Sequence, residues 1–399
     1  MAARTMTSMR RWTGPAILSY GFRPFFLGAS IWAVCAMMLW VLMLAGRLSL
    51  PTRFDPVSWH AHEFLFGTLG AILAGFLLTA VPNWTGRLPV TGWRLGLLAL
   101  IWLAGRVAVA LSELLPAGFA ALIDLAFPTL LGAVILREII AGRNWRNLGV
   151  LAVLSLFVLA DALFFLDAAN GRVAAQGIGL RLGTAAIVMF IALIGGRIIP
   201  SFTRNWLVKA NDAARPAPPM QRFDRIALVL TAGTLVVWTL WPMAKLTGIA
   251  LLGIGFLHAL RLARWQGLRT VSEPLVLVLH AGYGFVPLGA VAIGCATLWP
   301  GSLAPDAAQH LWMAGAAGLM TLAVMTRATL GHTGQTLTAG RGTVALYGLM
   351  VLSVLVRVGA SIWPDLPFLT SAAVFWICAY GGFAVLYGPS LLRPTPGKS

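Results

Sequence analysis

Residues Trp59 to Gly86 read WHAHEFLFGTLGAILAGFLLTAVPNWTG. His60 and His62 open the stretch, an apolar run follows, and Pro82 to Gly86 close it. At about 1.5 Å per helical residue, the run is long enough to cross a bilayer core of roughly 30 Å. Residues Gln309 to Gly334 read QHLWMAGAAGLMTLAVMTRATLGHTG. The two stretches align without a gap at a spacing of 248 residues. His62, Gly67 and Gly70 fall on His310, Gly315 and Gly318, and Thr85-Gly86 falls on Thr333-Gly334. The sequence therefore predicts one kind of membrane helix, used more than once, with a histidine at the same depth.

Composition extends this reading to the whole chain. Of 399 residues, 59% are hydrophobic and only 10% are charged, too few to cover a water-soluble surface. The formal net charge is +17, from 29 Lys plus Arg against 12 Asp plus Glu. In a soluble protein this would suggest nucleic acid. Here the basic residues lie in alternate loops, so they report orientation, and no nucleic-acid partner is expected. Cys35, Cys295 and Cys378 stand singly in apolar runs, with no disulfide framework and no CxxC motif. The basic N-terminal stretch leads into a full-length apolar run without a clear cleavage site, which reads as a first span.

Twelve apolar spans are expected, near residues 25–46, 62–81, 92–111, 117–137, 148–168, 176–200, 226–243, 246–264, 274–298, 307–330, 343–363 and 367–390. Arg4, Arg10, Arg11 and Arg23 precede the first, and Lys398 follows the last. The even-numbered spans are followed by basic loops, which puts both termini in the cytoplasm. The Pro- and Ala-rich stretch Lys209–Asp224 reads as a long cytoplasmic loop. Further matches extend the repeat: Arg106-Val107 falls on Arg357-Val358, and Arg197 and Thr203 fall on Arg327 and Thr333. The expected fold is an all-α polytopic membrane protein, a single domain of twelve transmembrane helices. It would comprise three parallel four-helix repeats over about residues 20–146, 147–270 and 271–393.

All six histidines fall within or at the ends of spans, where ionisable groups are costly and mark interior sites. His62 and His310, at one depth and beside glycines that admit a flat ligand, suit axial coordination of one haem from both sides; the alternative is two interfacial helix-start residues. His60 points about 200° away from His62, toward a second metal or toward water. His258 and His280 lie symmetrically about the turn after the eighth span. With His332 they can form a copper site, or serve as proton-path or structural histidines. Arg106, Arg181 and Arg357 are candidates for haem propionates; the alternatives are pairing with Asp124, Asp161 or Glu113, or snorkelling to the boundary. No GxxxxGK[ST] loop, dinucleotide fingerprint or HExxH motif occurs.

At YGFRPFFLGA near the start, at Trp59–Gly86, and at HLWMAGAAGLMTLAVMTRATLGHTG near the end, the chain resembles the NnrS family of bacterial inner-membrane proteins. The resemblance covers essentially the whole chain. It implies a twelve-helix protein of the bacterial cytoplasmic membrane carrying haem b (one or two) and copper, linked to nitric oxide metabolism and nitrosative-stress resistance. The architecture also resembles the catalytic subunit of haem-copper oxidases and nitric oxide reductases, although the sixth and seventh spans lack that superfamily's copper-ligating histidines. The expected function is binding or reducing nitric oxide, or relaying electrons through a bis-histidine haem and a second metal site, with a quinol or cytochrome as donor. The alternatives are a transporter of a metal, haem or nitric oxide-derived metal complex, and a non-catalytic sensor.

Overall fold

The computed structural model describes residues 12–364 and 367–395. Arg4, Arg10, Arg11 and Lys398, used above for orientation, lie outside the described residues. Among the described residues, twelve helices are long and apolar enough to cross a membrane: α1 (Phe22–Leu44), α2 (Pro56–Thr85), α3 (Trp93–Ala110), α4 (Phe119–Ala141), α5 (Trp145–Ala169), α6 (Ile178–Lys209), α7 (Arg222–Leu240), α8 (Lys245–Ala263), α9 (Pro274–Leu298), α10 (Pro305–His332), α11 (Arg341–Ile362) and α12 (Phe368–Leu392). No strand occurs among the described residues. The chain is a multi-pass membrane protein.

Local chemistry sets the helix ends. Asp55 Oδ1 accepts hydrogen bonds of 3.0 Å from the Val57 and Ser58 amides, and Pro56 occupies the first turn, so α2 starts well before its apolar run. Gly86 ends the helix at φ 71°, its amide bonded to the Pro82 carbonyl at 2.9 Å. Pro200 does not stop α6, which continues through a polar last stretch to Lys209. Two segments of wider winding, with i→i+5 hydrogen bonds, begin directly after histidines: Glu63–Thr68 after His62 and Leu311–Leu319 after His310. A third covers Ile191–Gly195. Such turns are rare and concentrate at functional sites.

The helices form two compact units. The first holds the described residues up to Gly183, with Ala328–Thr336 and the residues from Phe383 onward; the second holds Thr184–Arg327 and Leu337–Gly382. In the first, α2 packs against α1 and α4, while α3 pairs with α4 and α4 with α5. Helix α2 is the enclosed element: 89% of its most apolar window is buried, against 33% for α4. The faces of α3 show how polar groups come inward. Leu97, Leu100, Leu103 and Val107 form an exposed apolar stripe suited to lipid, and Leu98, Trp102, Arg106 and Val109 lie buried on the other face. In the second unit, α8 and α9 make the most extensive helix pair, and α9 and α11 both pack against α10.

Candidate functional site

The densest polar chemistry in the first unit lies where α2 changes its winding. His62 and Glu63 come from α2, Arg106 from α3, Asp124 from α4 and Asp161 from α5, and all five are buried. His62 Nδ1 lies 3.1 Å from Glu63 Oε1. Its Nε2 lies 3.2 Å from Asp124 Oδ2 and 3.1 Å from Asp161 Oδ1. Arg106 Nη1 donates to both Glu63 oxygens at 2.9 Å, and Nη2 donates to Asp124 Oδ1. Trp32 Nε1 completes the shell of Glu63 with a 2.7 Å hydrogen bond to Oε2. The rings of Phe54, Phe66, Phe164 and Phe165 stand 5.1–5.4 Å from the imidazole. These rings keep the site dry, where charges interact far more strongly than in water. Among the described residues, His62, Asp124 and Asp161 are the group of three such side chains whose ligand atoms lie within 4.8 Å of one another.

The other sequence-predicted residues have different surroundings. His310, in the second unit, donates Nδ1–H to the Asp306 carbonyl at 2.6 Å, which leaves the Nε2 lone pair for a ligand. Arg357 Nη2 pairs with Asp306 Oδ2 at 2.7 Å. His60 stacks on Trp40, ring centres 4.0 Å apart, and against Phe64. His332 stacks on Tyr20 at 5.4 Å and lies 5.5 Å from Phe22; burial pushes the Tyr20 hydroxyl up to about 12. Arg181 Nη1 donates to the Gln176 carbonyl at 2.7 Å.

His258 and His280, symmetric about one turn, have separate partners. The Thr231 hydroxyl donates to the Ala227 carbonyl at 2.6 Å, so it accepts from His258 Nε2 at 2.8 Å. This fixes the tautomer: His258 Nδ1 accepts from the Tyr283 hydroxyl at 2.7 Å, and that hydroxyl accepts from Arg261 Nη1 at 2.9 Å. Arg261 also donates to Asp224 and to the Ala192 carbonyl, both at 2.7 Å. By the same logic His280 Nε2 donates to Thr203 at 2.8 Å.

The NnrS protein family model matches residues 16–395. The chain belongs to the NnrS family. No curated protein matches it. Two of the motifs that carry the family resemblance have visible structural roles. Arg23 of YGFRPFFLGA donates Nη1 to the Leu391 carbonyl at 2.9 Å and to the Arg393 carbonyl at 2.7 Å, closing the end of α12. Two of the glycines beside these histidines, Gly67 and Gly315, are crowded by other side chains, whereas Gly70 meets only Phe157 at 3.8 Å. A Cβ on Gly67 would stand 2.3 Å from Arg106 Nη1, and one on Gly315 would stand 2.6 Å from Phe285.

Sequence reasoning named Asp124 and Asp161 only as arginine partners and did not join them to His62. One signal was available. Arg106 and Asp124 sit nearly symmetrically about the turn at Leu115-Pro116, so an antiparallel α3–α4 pair brings them to one depth.

Proposed function

We propose that this NnrS-family chain serves the nitric oxide response as a haem-binding protein of the bacterial cytoplasmic membrane, with His310 as axial ligand. The observation that carries the reading is the His310 imidazole. Its Nδ1–H is tied to the Asp306 carbonyl, so the ring is oriented and Nε2 keeps its lone pair. Iron-ligating histidines are typically held in this way. His62 does not fit as a second axial ligand, because both of its nitrogens face carboxylates. A haem held by His310 alone would leave an iron position at which nitric oxide could bind. Asp306 of α10 anchors the histidine through its carbonyl, Arg357 of α11 pairs with the Asp306 carboxylate, and that guanidinium is suited to a propionate.

The three-repeat architecture with cytoplasmic termini belongs to the same proposal. It is supported by the alternating basic loops and by the widened turns that start one residue after His62 and after His310. Reporter fusions after successive spans test the orientation.

The decisive experiment is an optical spectrum of the full chain, purified in detergent from haem-replete cells. Haem bands that are lost in His310→Ala, kept in His62→Ala, and shifted by added nitric oxide are expected. A folded but colourless preparation sinks the reading.

A further inference from the structure

We propose that His62, Asp124 and Asp161 form a binding site for a divalent transition-metal cation, with Glu63 and Arg106 holding the ligands in place. The site lies in the first unit and does not depend on the haem reading of His310.

The argument starts from one hydrogen. When His62 donates Nδ1–H to Glu63 Oε1, its Nε2 carries a lone pair. That lone pair faces Asp161 Oδ1 at 3.1 Å and Asp124 Oδ2 at 3.2 Å. Apart from that contact with His62, Asp124 Oδ2 is buried without a hydrogen-bond partner, because Arg106 engages the other oxygen of that carboxylate. Three electron-rich atoms thus converge in a dry pocket, and a positive centre among them removes their repulsion. Ligand atoms around a metal with bonds of ~2.1 Å stand roughly 3.0–3.4 Å apart, which matches the two nitrogen–oxygen separations.

Charge leads to the same place. With His62 neutral, as a metal ligand must be, three carboxylates and one guanidinium leave two negative charges uncompensated inside a membrane-spanning bundle. One divalent cation cancels them, and uncompensated charge at this depth is costly. The supporting groups follow the carboxylate–histidine–metal arrangement: Glu63 fixes the tautomer, and Arg106 and Trp32 fix Glu63. One imidazole and two carboxylates suit Mn²⁺, Fe²⁺ or Zn²⁺, whereas Cu(I) prefers sulfur donors, and this donor set contains none.

The test uses the intact chain in detergent, stripped with a chelator and dialysed against Mn²⁺. About one Mn²⁺ per chain is expected, with pulsed EPR showing the nitrogen coupling of one imidazole. Asp161→Asn should lose this metal. Wild-type protein that takes up no more Mn²⁺ than Asp161→Asn would show an ion-pair network that needs no metal, and would overturn the proposal. Where Asp161→Asn does not fold, the wild-type EPR decides alone: bound Mn²⁺ without nitrogen coupling overturns the site, and coupling to one imidazole supports it.

Discussion

Arg106 and Glu63 meet through a single nitrogen, Nη1, which lies 2.9 Å from each oxygen of the carboxylate. The other terminal nitrogen of the same guanidinium engages Asp124. One side chain from α3 therefore fixes carboxylates on α2 and α4. Removing it leaves two buried carboxylates without their cation, which typically costs about 3–5 kcal/mol. Arg106→Ala should lower the thermal midpoint of the detergent-solubilised protein and its yield. Arg106→Lys should not restore them, because an ammonium is a point charge and cannot span both carboxylates. A Lys variant as stable as wild type would show that charge alone matters here.

Glycine supplies the room for this arginine. A Cβ at Gly67 would stand 2.3 Å from Arg106 Nη1 and 3.0 Å from Glu63 Oε2. Gly196 has the matching role in the second unit, where a Cβ would stand 2.0 Å from Arg261 Nη2. Both guanidiniums are buried and bonded on several sides, so neither can swing away at low cost. Gly67→Ala and Gly196→Ala should each destabilise by about 1–3 kcal/mol, in line with overpacked cores. Gly253→Ala, inside α8 at a position with open space, is the control that should hold or raise the thermal midpoint, because alanine favours the helix.

The helices were legible in the sequence because length and hydropathy decide them. The expected twelve spans correspond one for one to α1–α12. The departures have local causes: Asp55 and Pro56 start α2 in a polar stretch, and Pro200 is accommodated inside α6. The site was less legible. Its five side chains come from four helices, and periodicity along one helix says nothing about which faces of four will meet. Pairing His62 with His310 follows from their alignment, yet alignment does not report that carboxylates face both nitrogens of His62. The glycines were read as room for a flat ligand, but at Gly67 the space belongs to an arginine from another helix.

Glu63→Gln tests the supporting role of that carboxylate. Glutamine keeps the size and the acceptor oxygen but loses the charge that favours the Nδ1–H tautomer of His62. Loss of such a partner typically weakens metal binding roughly 10–100-fold. A Mn²⁺ titration should show a drop of that order with the stoichiometry unchanged. Because the ligands must be deprotonated to bind, affinity in wild type should also fall as pH is lowered.

The loop between α6 and α7 offers a pH test away from the membrane core. Asp212 is held below the usual carboxylate range, chiefly by the Ala214 amide donating at 2.8 Å and then by Arg269 at 3.1 Å. A carboxylate lowered in the folded state stabilises it above the unfolded value, near 3.9, and that stabilisation is lost as pH falls through the folded value. The group is exposed, so the effect should be small and weakened by salt. Acid protease should nick this loop faster as pH drops below about 4. Asp212→Asn should already be sensitive at higher pH; equal cleavage of both proteins at every pH would dismiss the role.

Tyr283→Phe isolates the centre of the second unit. The phenol hydroxyl donates to His258 Nδ1 at 2.7 Å and accepts from Arg261 Nη1 at 2.9 Å, so one atom joins a neutral imidazole to a buried cation. Phenylalanine preserves the packing against Trp265, whose ring centre lies 4.7 Å away, so the substitution removes hydrogen bonds without opening a cavity. It leaves His258 Nδ1 without a donor and Arg261 with one acceptor fewer. Unsatisfied buried groups cost about 1–3 kcal/mol each, more when charged. Arg261 keeps Asp224 and the Ala192 carbonyl, which limits the loss on its side. The expected result is a destabilisation of about 2–3 kcal/mol, read from the thermal midpoint. His258→Phe on the Tyr283→Phe background should then cost less than on wild type, because the two residues act through one hydrogen bond. Strict additivity in that double-mutant cycle would mean that the hydroxyl works through Arg261 alone.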